Sequence, residues 1–256
     1  MALTERSLFL YGLEVTTSNN AIDFKGASDG PELQAVLNNG PYSLTLLTAE
    51  VKRALEEADP DHTYNVTADR SYSSNTQNRI TIATYDSFLS LLFGTGSRLL
   101  TSASELLGFN PSDYTGSTSY TGATTTGTSF IPTLTGYNYL GPDFMQKKDG
   151  ALSIAASGFK EAIIFSTNKF IQVEFKYNPQ ADVIVDWMPF FDWSTEQKPY
   201  DFTPEYTSPS SVYSVTLEST SADSKGMAFT MKEQLPSFPF LYETGMIKMR
   251  LTPSGN

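Results

Sequence analysis

Hydrophobic residues recur at spacings of three and four in one segment, and this spacing predicts an amphipathic helix over residues 44 to 58. Ser43 or Thr45 is expected to cap its start. Asp59-Pro60 is expected to end it, because the residue before a proline is pushed out of helical geometry. The apolar face is then Leu44, Leu47, Val51 and Leu55, and the charged residues expected on the outer faces are Glu50, Lys52, Arg53, Glu56 and Glu57.

Alternation of apolar and polar residues predicts strands in both halves of the chain. The first half carries six such segments: 6 to 15, 21 to 24, 32 to 37, 64 to 68, 79 to 84 and 87 to 93. Four runs of period two follow later, around Val173, Val215, Phe229 and Met249, and they predict antiparallel sheets with one wet face each. Between the halves, Ser, Thr, Gly and Tyr dominate residues 110 to 143 without a period, which predicts a loop or linker.

A very short helix is predicted just after the last strand of the first half. Ser102 and Glu105 fit a capping box. Gly108 fits the left-handed cap that ends a helix, with Phe109 folding back behind it. Such a segment buries one small helix end and carries no group that does chemistry.

Another helix is predicted from Ile184 to Phe191, with Asp182 as its cap. Pro189 conflicts with this, because an interior proline costs roughly 3 kcal/mol. Either the helix bends there, or a shorter one begins near residue 188 with the proline in its first turn.

Composition agrees with a mainly β protein and narrows its chemistry. Of 256 residues, 13% are aromatic and only 18% charged, which is typical of β-rich proteins with large subunit contacts. The absence of cysteine excludes disulfides, thiolate metal sites and cysteine nucleophiles. A net charge of -11, with Lys147-Lys148 as the densest basic cluster, argues against sequence-specific nucleic-acid binding. No signal sequence or membrane-spanning run is recognised, so a cytoplasmic origin without membrane contact is expected.

His62 is the only histidine, which excludes histidine-containing triads and zinc sites built on two histidines. We expect it to be solvated in its polar turn. Asp59 and Asp61 imitate the start of a calcium loop, but Tyr64 and Arg70 stand where a glycine and a bidentate glutamate are required. An EF-hand is therefore rejected, and a different calcium site stays open as an alternative.

Carboxylate pairs keep a hydrolase open as an alternative, and the candidates are Asp186 with Asp192 and Asp201 with Glu205. Surface solubility is the expected role of these side chains. Gly94-Thr95-Gly96 lacks the third glycine of a dinucleotide site. The sequence therefore predicts no catalytic residue, no cofactor-binding residue, no metal ligand and no cofactor.

Large aromatic residues suggest packing or contact roles. Trp187 is expected in the core, whereas Trp193 fits a core or an interface equally well. Four tyrosines in loop-like sequence would stack on sugars if the protein bound carbohydrate, namely Tyr114, Tyr120, Tyr137 and Tyr139.

The order of segments in the first half resembles a module of structural proteins of tailed-phage virions. Asn-Asn-Gly-Pro-Tyr-Ser at 38 to 43 opens the helix, and strands Tyr-Asn-Val-Thr, Arg-Ile-Thr-Ile and Phe-Leu-Ser-Leu-Leu-Phe follow. Glu-Leu-Leu-Gly-Phe at 105 to 109 and Asp-Tyr at 113 to 114 close the run. The resemblance covers residues 19 to 122.

The second half resembles the sandwich of distal tail and tail-hub proteins of long-tailed phages. A strand at 169 to 177 precedes Trp-Met-Pro-Phe-Phe-Asp-Trp, and Tyr-Asp-Phe-Thr-Pro-Glu at 200 to 205 leads into the strand at 212 to 218. Strands at 227 to 232 and 245 to 251 end the pattern. The long insertion between the first strand and this sandwich departs from the family and leaves the exact tail component open.

The resemblance and the patterns together predict a mainly β, α+β chain. Its expected parts are the first strands of an antiparallel β-sandwich (1–18), an inserted α+β module (19–122), a linker or extended arm (123–150) and the β-sandwich with its few short helices (151–256).

The resemblance implies a structural component of a bacteriophage virion, a tail-hub or distal-tail ring protein without enzymatic activity. Its expected partners are copies of itself in a ring-like homo-oligomer and the tube, hub and fibre proteins of the tail. DNA would pass passively through the acidic ring, and the chain would lie in the virion tail after assembly in the host cytoplasm. The alternatives are a receptor- or carbohydrate-binding fibre or spike protein, and a β-rich hydrolase using carboxylates.

Overall fold

A computed structural model describes residues 8–70, 76–86, 88–130, 139–154, 160–179, 187–194, 197–204, 211–217, 227–231 and 241–251. The chain divides into two compact units. The α+β unit comprises Ser7–Phe130 and Tyr200–Val212, and the hairpin unit comprises Met1–Arg6, Ile131–Pro199 and Tyr213–Asn256. The domain boundaries expected at residues 18, 122 and 150 remain predictions.

Most described elements are short strands, and two α-helices and one 3-10 turn accompany them. In chain order they are β1 (Leu8–Tyr11), β2 (Leu13–Val15), β3 (Ala21–Lys25), β4 (Leu33–Val36), β5 (Gly40–Tyr42), α1 (Leu44–Ala58), β6 (Tyr64–Ala68), β7 (Ile80–Thr84), β8 (Leu89–Leu92), the 3-10 turn (Leu99–Thr101), β9 (Asp113–Ser117), β10 (Ser119–Thr121), β11 (Thr128–Phe130), β12 (Tyr139–Ile154), β13 (Lys160–Pro179), α2 (Met188–Ser194), β14 (Tyr200–Thr203), β15 (Tyr213–Leu217), β16 (Met227–Met231) and β17 (Leu241–Leu251). The prediction of a mainly β, α+β fold is confirmed.

The α+β unit is built from small antiparallel sheets. Strands β4, β3, β8 and β9 form a four-stranded sheet in that order, and β10, β7 and β6 form a three-stranded one. Strand β1 pairs with β11 on one side and β14 on the other, and β2 pairs with β5. Strand β8 was predicted to be central, and it lies inside the four-stranded sheet.

Helix α1 has the bounds and caps that its sequence predicts. Ser43 Oγ accepts a hydrogen bond from the backbone N–H of Leu46 at 3.2 Å, and the Asp59 N–H donates to Leu55 O at 2.9 Å. The four residues of the predicted apolar face are completely buried in the core of the unit. Burying each of these side chains contributes roughly 1.5 to 3 kcal/mol, so packing against the core decides where the helix lies.

Glu50 contradicts the expected outer face of α1, because it is only 9% exposed. Its carboxylate accepts the Asn38 backbone N–H at 2.7 Å and two Arg53 nitrogens, Nε at 2.8 Å and Nη2 at 2.6 Å. Desolvation alone would raise the pKa of Glu50, but the hydrogen bonds from Arg53 and Asn38 outweigh it and lower that pKa. A charged residue is buried here because partners surround it.

Residues 103 to 107 form one turn instead of the predicted short helix. The glycine cap is confirmed: Gly108 has a φ of +77°, its N–H donates to Glu105 O at 3.1 Å, and the Phe109 N–H donates to Ser104 O at 2.8 Å. These two bonds are the pair that defines a Schellman ending. The Schellman ending at Gly108 therefore follows a single turn and not a helix.

The predicted capping box at this turn is wrong. Ser102 Oγ accepts the N–H of Ser104 at 3.3 Å, and Glu105 is exposed. The N–H of Ser102, which the glutamate would have bonded, donates to Leu99 O at 3.3 Å. The preceding 3-10 turn has taken the donor that a capping box requires.

The prediction of a loop over residues 110 to 143 is correct at 110–112 and 122–127 and wrong at the strands that lie in this range. Strands β9, β10 and β11 and the start of β12 lie in this range, and β11 and most of β12 fall within the expected arm at 123–150. Thr and Tyr favour strands, and strands of three to five residues are too short to show a period in the sequence.

In the hairpin unit, the four predicted alternating runs are all strands, and their pairings are antiparallel. Strand β13 pairs with β12 and with β17, and β17 pairs with β15 and β16. The sequence did not indicate β12 or the first half of β13.

Helix α2 begins at Met188 in the described residues, and Pro189, its second residue, lies in its first turn as the shorter of the two predicted helices requires. Trp187 is 1% exposed and contacts the Phe190 ring at 6.3 Å between centroids, as expected for a core residue. Asp182 and Ile184 lie outside the described residues. In the described ranges, neither α-helix has the length and apolar character that a membrane span requires.

Candidate functional site

The four-stranded sheet has an inner face in the core and an outer face that a loop covers. Ile22 and Phe24 of β3 are completely buried in the core, so the side chain of Asp23 between them faces the other side. Residues 94 to 103, called the outer-face loop, are bonded to that side. The Arg98 N–H donates to Asp23 Oδ2 at 2.6 Å, and the Ala103 N–H donates to the backbone carbonyl of β3 at 2.7 Å.

Asp23 is a buried charge with incomplete hydrogen bonding. It is 5% exposed, and in the described part of the chain its Oδ1 has no hydrogen-bond partner. Burial raises the pKa of Asp23, and the backbone bond from Arg98 offsets this only in part. The loop lies so close that a Cβ on Gly96 would collide with the Asp23 carboxylate and lie 2.6 Å from Leu92 O.

Two further carboxylates anchor the outer-face loop. Asp113 Oδ1 accepts the N–H groups of Gly94 at 2.7 Å and Thr95 at 3.0 Å. Partial desolvation opposes ionisation, but the bonds from Thr95 and Gly94 outweigh it and lower the pKa of Asp113. Glu32 Oε1 accepts the Ser97 N–H at 2.7 Å. Hydrogen bonds from the side chain and the backbone of Ser97 lower the pKa of Glu32. Three carboxylates thus fix the loop through its backbone.

This anchored loop presents two neighbouring leucines to solvent. Leu99 is 48% exposed and Leu100 is 95% exposed. Leu100 gains almost no burial from its own fold and is suited to contact another surface, because covering a fully exposed leucine contributes roughly 1.5 to 3 kcal/mol. We call Leu99 and Leu100 the leucine pair.

The second candidate surface is the end of the β12–β13 hairpin. The two strands are 16 and 20 residues long, whereas strands usually have 3 to 10. Strand β17 pairs with β13 only from Phe170 onwards. Residues 146–154 and 160–169, called the ribbon, therefore pair only with each other in the described structure, from Gln146↔Lys169 to Ile154↔Lys160.

The ribbon extends roughly 30 Å beyond the sheet, at about 3.3 Å per residue. A two-stranded ribbon is at best marginally stable in water by itself. Its sequence nevertheless includes Leu152, Ile154 and the run Ile163-Ile164-Phe165. Within the described residues, no third strand pairs with this part of the hairpin.

His62 is held by the protein more firmly than its sequence predicted. Its Nδ1 lies 2.8 Å from Asp59 Oδ1, and this bond raises the pKa of His62. The other oxygen of Asp59 accepts the Tyr64 hydroxyl at 2.8 Å. Burial, with Asp59 adding to it, raises the pKa of Tyr64. The three side chains close the turn that follows α1, so a structural role accounts for each of them.

Asp201 was expected to serve surface solubility, and this expectation is wrong because it is 1% exposed. Its Oδ2 accepts Arg70 Nη2 at 2.8 Å, the Thr45 N–H at 3.0 Å and Thr45 Oγ1 at 3.2 Å. The pairing joins β14 to the first turn of α1 across 156 positions of sequence, so no local pattern indicated it. Glu205 and Asp186, the proposed partners of Asp201 and Asp192, lie outside the described residues.

Of the tyrosines considered for sugar stacking, two lie in the described part of the α+β unit, where they pack on each other. Tyr120 is 9% exposed, donates to Leu89 O at 3.1 Å and accepts the Ser117 N–H at 2.8 Å. Tyr114 packs against the Tyr120 ring at 5.6 Å between centroids. Tyr137 lies outside the described residues, and Tyr139 lies in β12.

Trp193, for which core and interface were both open, is partly buried. Lys198 Nζ lies 5.8 Å from the centre of its ring, within the range of a cation–π contact.

Within the described ranges, no three His, Cys, Asp or Glu side chains come together as metal ligands would. No protein-family model matches the chain, and no curated protein matches it either.

Proposed function

We propose that this protein is a structural component of a tailed-phage virion, of the tail-hub or distal-tail type. It acts by assembling with copies of itself and with neighbouring tail proteins. The ribbon carries this proposal, because a two-stranded extension of such length gains its stability from a surface outside its own sheet. In a ring, each ribbon would lie along the adjacent copy and the closed ring would leave no ribbon uncovered.

The leucine pair adds a second contact surface. The backbone directly before it is fixed by the bond from the Arg98 N–H to Asp23, so little conformational entropy is lost when a partner covers the pair. Tube, hub or fibre proteins are the proposed neighbours at this surface.

The proposal that the assembly is a phage tail rests on the order of segments in the sequence, which resembles that of tail proteins. The net charge of -11 suits a ring through which DNA passes without being retained. The buried carboxylates of Asp59, Asp201 and Glu50 all accept hydrogen bonds within the fold, so the proposed function requires no reactive centre. No specific observation favours the sugar-binding alternative, since Tyr120 is in the core.

The test compares the complete chain with a variant that lacks the ribbon. Residues 147 to 168 are replaced by Asn-Gly, which joins Gln146 and Lys169 by a two-residue hairpin turn. Mass photometry and negative-stain imaging are expected to show rings for the complete chain and monomers for the variant. Circular dichroism checks that the variant is folded. A complete chain that stays monomeric, or a folded variant that still forms rings, would contradict the proposal.

A further inference from the structure

We propose that the open edge of β4 binds an extended, positively charged segment of a partner protein. Strand β4 lies at one edge of the four-stranded sheet. A groove of about 370 Å³ separates this edge from helix α1. Gln34, Val36 and Asn38 line it on the strand side, and Arg53 and Glu57 are among its α1 residues.

The strand register shows which backbone groups face this groove. The Leu37 N–H donates to Asn20 O at 2.8 Å. Leu37 directly follows β4 and Asn20 directly precedes β3, so these two residues form a hydrogen-bonded pair at the end of the β3–β4 ladder. Bonded and non-bonded pairs alternate along an antiparallel ladder. The pairs that contain Val36 and Gln34 are therefore non-bonded, and the backbone groups of both residues point away from β3. The residues that line the groove are thus those whose N–H and C=O groups face it.

Other side chains already satisfy the groups at one end of the edge. Arg53 Nη2 donates to Val36 O at 3.1 Å, and Glu50 Oε1 accepts the Asn38 N–H at 2.7 Å. Tyr42 donates its hydroxyl to Asn38 O at 2.9 Å. This end of the edge is closed to a further strand.

Three backbone groups remain without a partner in the part of the chain that the structure describes. They are the N–H and C=O of Gln34 and the N–H of Val36. An antiparallel segment paired with β4 would use these three groups. The residue of the segment that lies opposite Gln34 exchanges two hydrogen bonds with the Gln34 backbone. The residue two positions earlier in that segment then accepts the N–H of Val36. Val36 is also 42% exposed, which provides an apolar contact beside these bonds.

The charges around the groove favour a bound segment that is positively charged. Among the described residues that line the groove, Arg53 is the only cation, and it pairs with Glu57, which also lines the groove, and with the buried Glu50 beside it. The cluster of Arg53, Glu50 and Glu57 carries one net negative charge, and Glu57 has a side chain that is 74% exposed. A Lys or Arg in the bound segment would pair with this charge. This proposal does not rest on the proposed function, because the β4 edge could bind such a segment whether or not the protein belongs to a virion.

The experiment uses amide NMR on the complete, isotope-labelled chain. The probe is an N-acetylated, C-amidated peptide, Thr-Val-Lys-Val-Thr-Val, and a second peptide carries Glu in place of Lys. Val36→Pro removes one donor, and an edge strand tolerates proline at an outward-facing N–H. Val36→Thr is the matched control, because it keeps both the N–H and a β-branched side chain.

Peptide addition is expected to shift the amide signals of Gln34 and Val36 most. Val36→Thr should bind as the original chain does, and Val36→Pro about fivefold more weakly, as expected for one lost hydrogen bond. The glutamate peptide should bind more weakly than the lysine peptide. Shifts centred elsewhere, equal binding by both Val36 variants, equal binding of both peptides or no binding would overturn the proposal. A concentration-dependent change of the Gln34 signal without peptide would assign the edge to a second copy and would also overturn it.

Discussion

Arg98 donates its backbone N–H to the buried carboxylate of Asp23 at 2.6 Å, and this bond joins the outer-face loop to the sheet beneath it. The position of the leucine pair follows from it, since Leu99 and Leu100 come directly after Arg98. The bond is made at a cost, because the second oxygen of Asp23 is buried without a hydrogen-bond partner in the described structure. The buried carboxylate of Asp23 thus lowers the free energy of unfolding while it holds the outer-face loop in place.

Asp23→Asn should increase the free energy of unfolding at neutral pH by about 1 kcal/mol, because it removes a poorly satisfied buried charge. The folded-state pKa of Asp23 is raised, so the ionised group destabilises the fold above that pKa. The difference between the two proteins should therefore vanish as the pH falls below 3.8, the ordinary pKa. Urea unfolding at several pH values measures it.

Asp113→Asn is the matched control for this change, and it has the opposite sign. The pKa of Asp113 is lowered, so its ionised form contributes stability above pH 3.8 that is lost as the pH falls through the lower folded-state pKa. At neutral pH the Asp113 variant should be the less stable of the two. A destabilised Asp23 variant at neutral pH would show that its bond to Arg98 outweighs the burial.

Gly96→Ala should destabilise the protein by about 2 kcal/mol, because the added carbon collides with the Asp23 carboxylate and crowds Leu92 O. Gly30→Ala is the comparison variant, because its added carbon would lie 3.2 Å from Ala27 O, a tight contact that a shift of a few tenths of an ångström relieves. Thermal unfolding of both variants provides the comparison. Equal stability of the two would mean that the loop is not in close contact with the sheet.

Glu50 and Glu57 share Arg53, so they allow a buried and an exposed ion pair to be compared on one guanidinium. Glu50→Ala should cost between about 1 and 3 kcal/mol, because it leaves the buried Asn38 N–H without its acceptor and removes the carboxylate that accepts two of the Arg53 nitrogens. Glu57→Ala should cost at most about 0.5 kcal/mol, as is typical of surface pairs. Denaturant unfolding measures both changes, and a larger effect at Glu57 would contradict the burial of Glu50.

His62 provides a single, clean titration, because the chain has no other histidine. Its pKa should lie above 6.5, since the bond to Asp59 favours the charged ring. The pair then stabilises the fold fully below pH 6.5 and loses this contribution as the pH rises through the folded-state pKa.

Proton NMR of the imidazole measures this pKa directly. Asp59→Asn should lower it towards 6.5, whereas Tyr64→Phe, which removes the other hydrogen bond to Asp59, should leave it raised. A histidine that titrates at or below 6.5 in the unchanged protein would disprove the pairing.

Local patterns predicted the parts of the fold that local physics determines. The spacing of Leu44, Leu47, Val51 and Leu55 was sufficient for α1, because one face of that helix forms the core. Gly108 was predicted as a helix cap for the same reason, since a left-handed residue followed by Phe109 is a local signal.

What the sequence concealed depends on distant partners. Glu50 and Asp201 appear to be surface charges until Asn38 and Arg70 are placed beside them. The ribbon alternates too irregularly to be recognised, with a register shift between Asp149 and Gly150. The edge of β4 was equally hidden, because its free groups belong to the backbone and no residue type marks them.

Assembly through the ribbon is tested most directly by the mass of the particles that the complete chain forms, measured beside the chain without residues 147 to 168. Closed rings of many copies are expected for the complete chain, and folded monomers for the shortened one. A complete chain that remains a monomer at every concentration tested, or rings that persist without the ribbon, would contradict assembly through the ribbon.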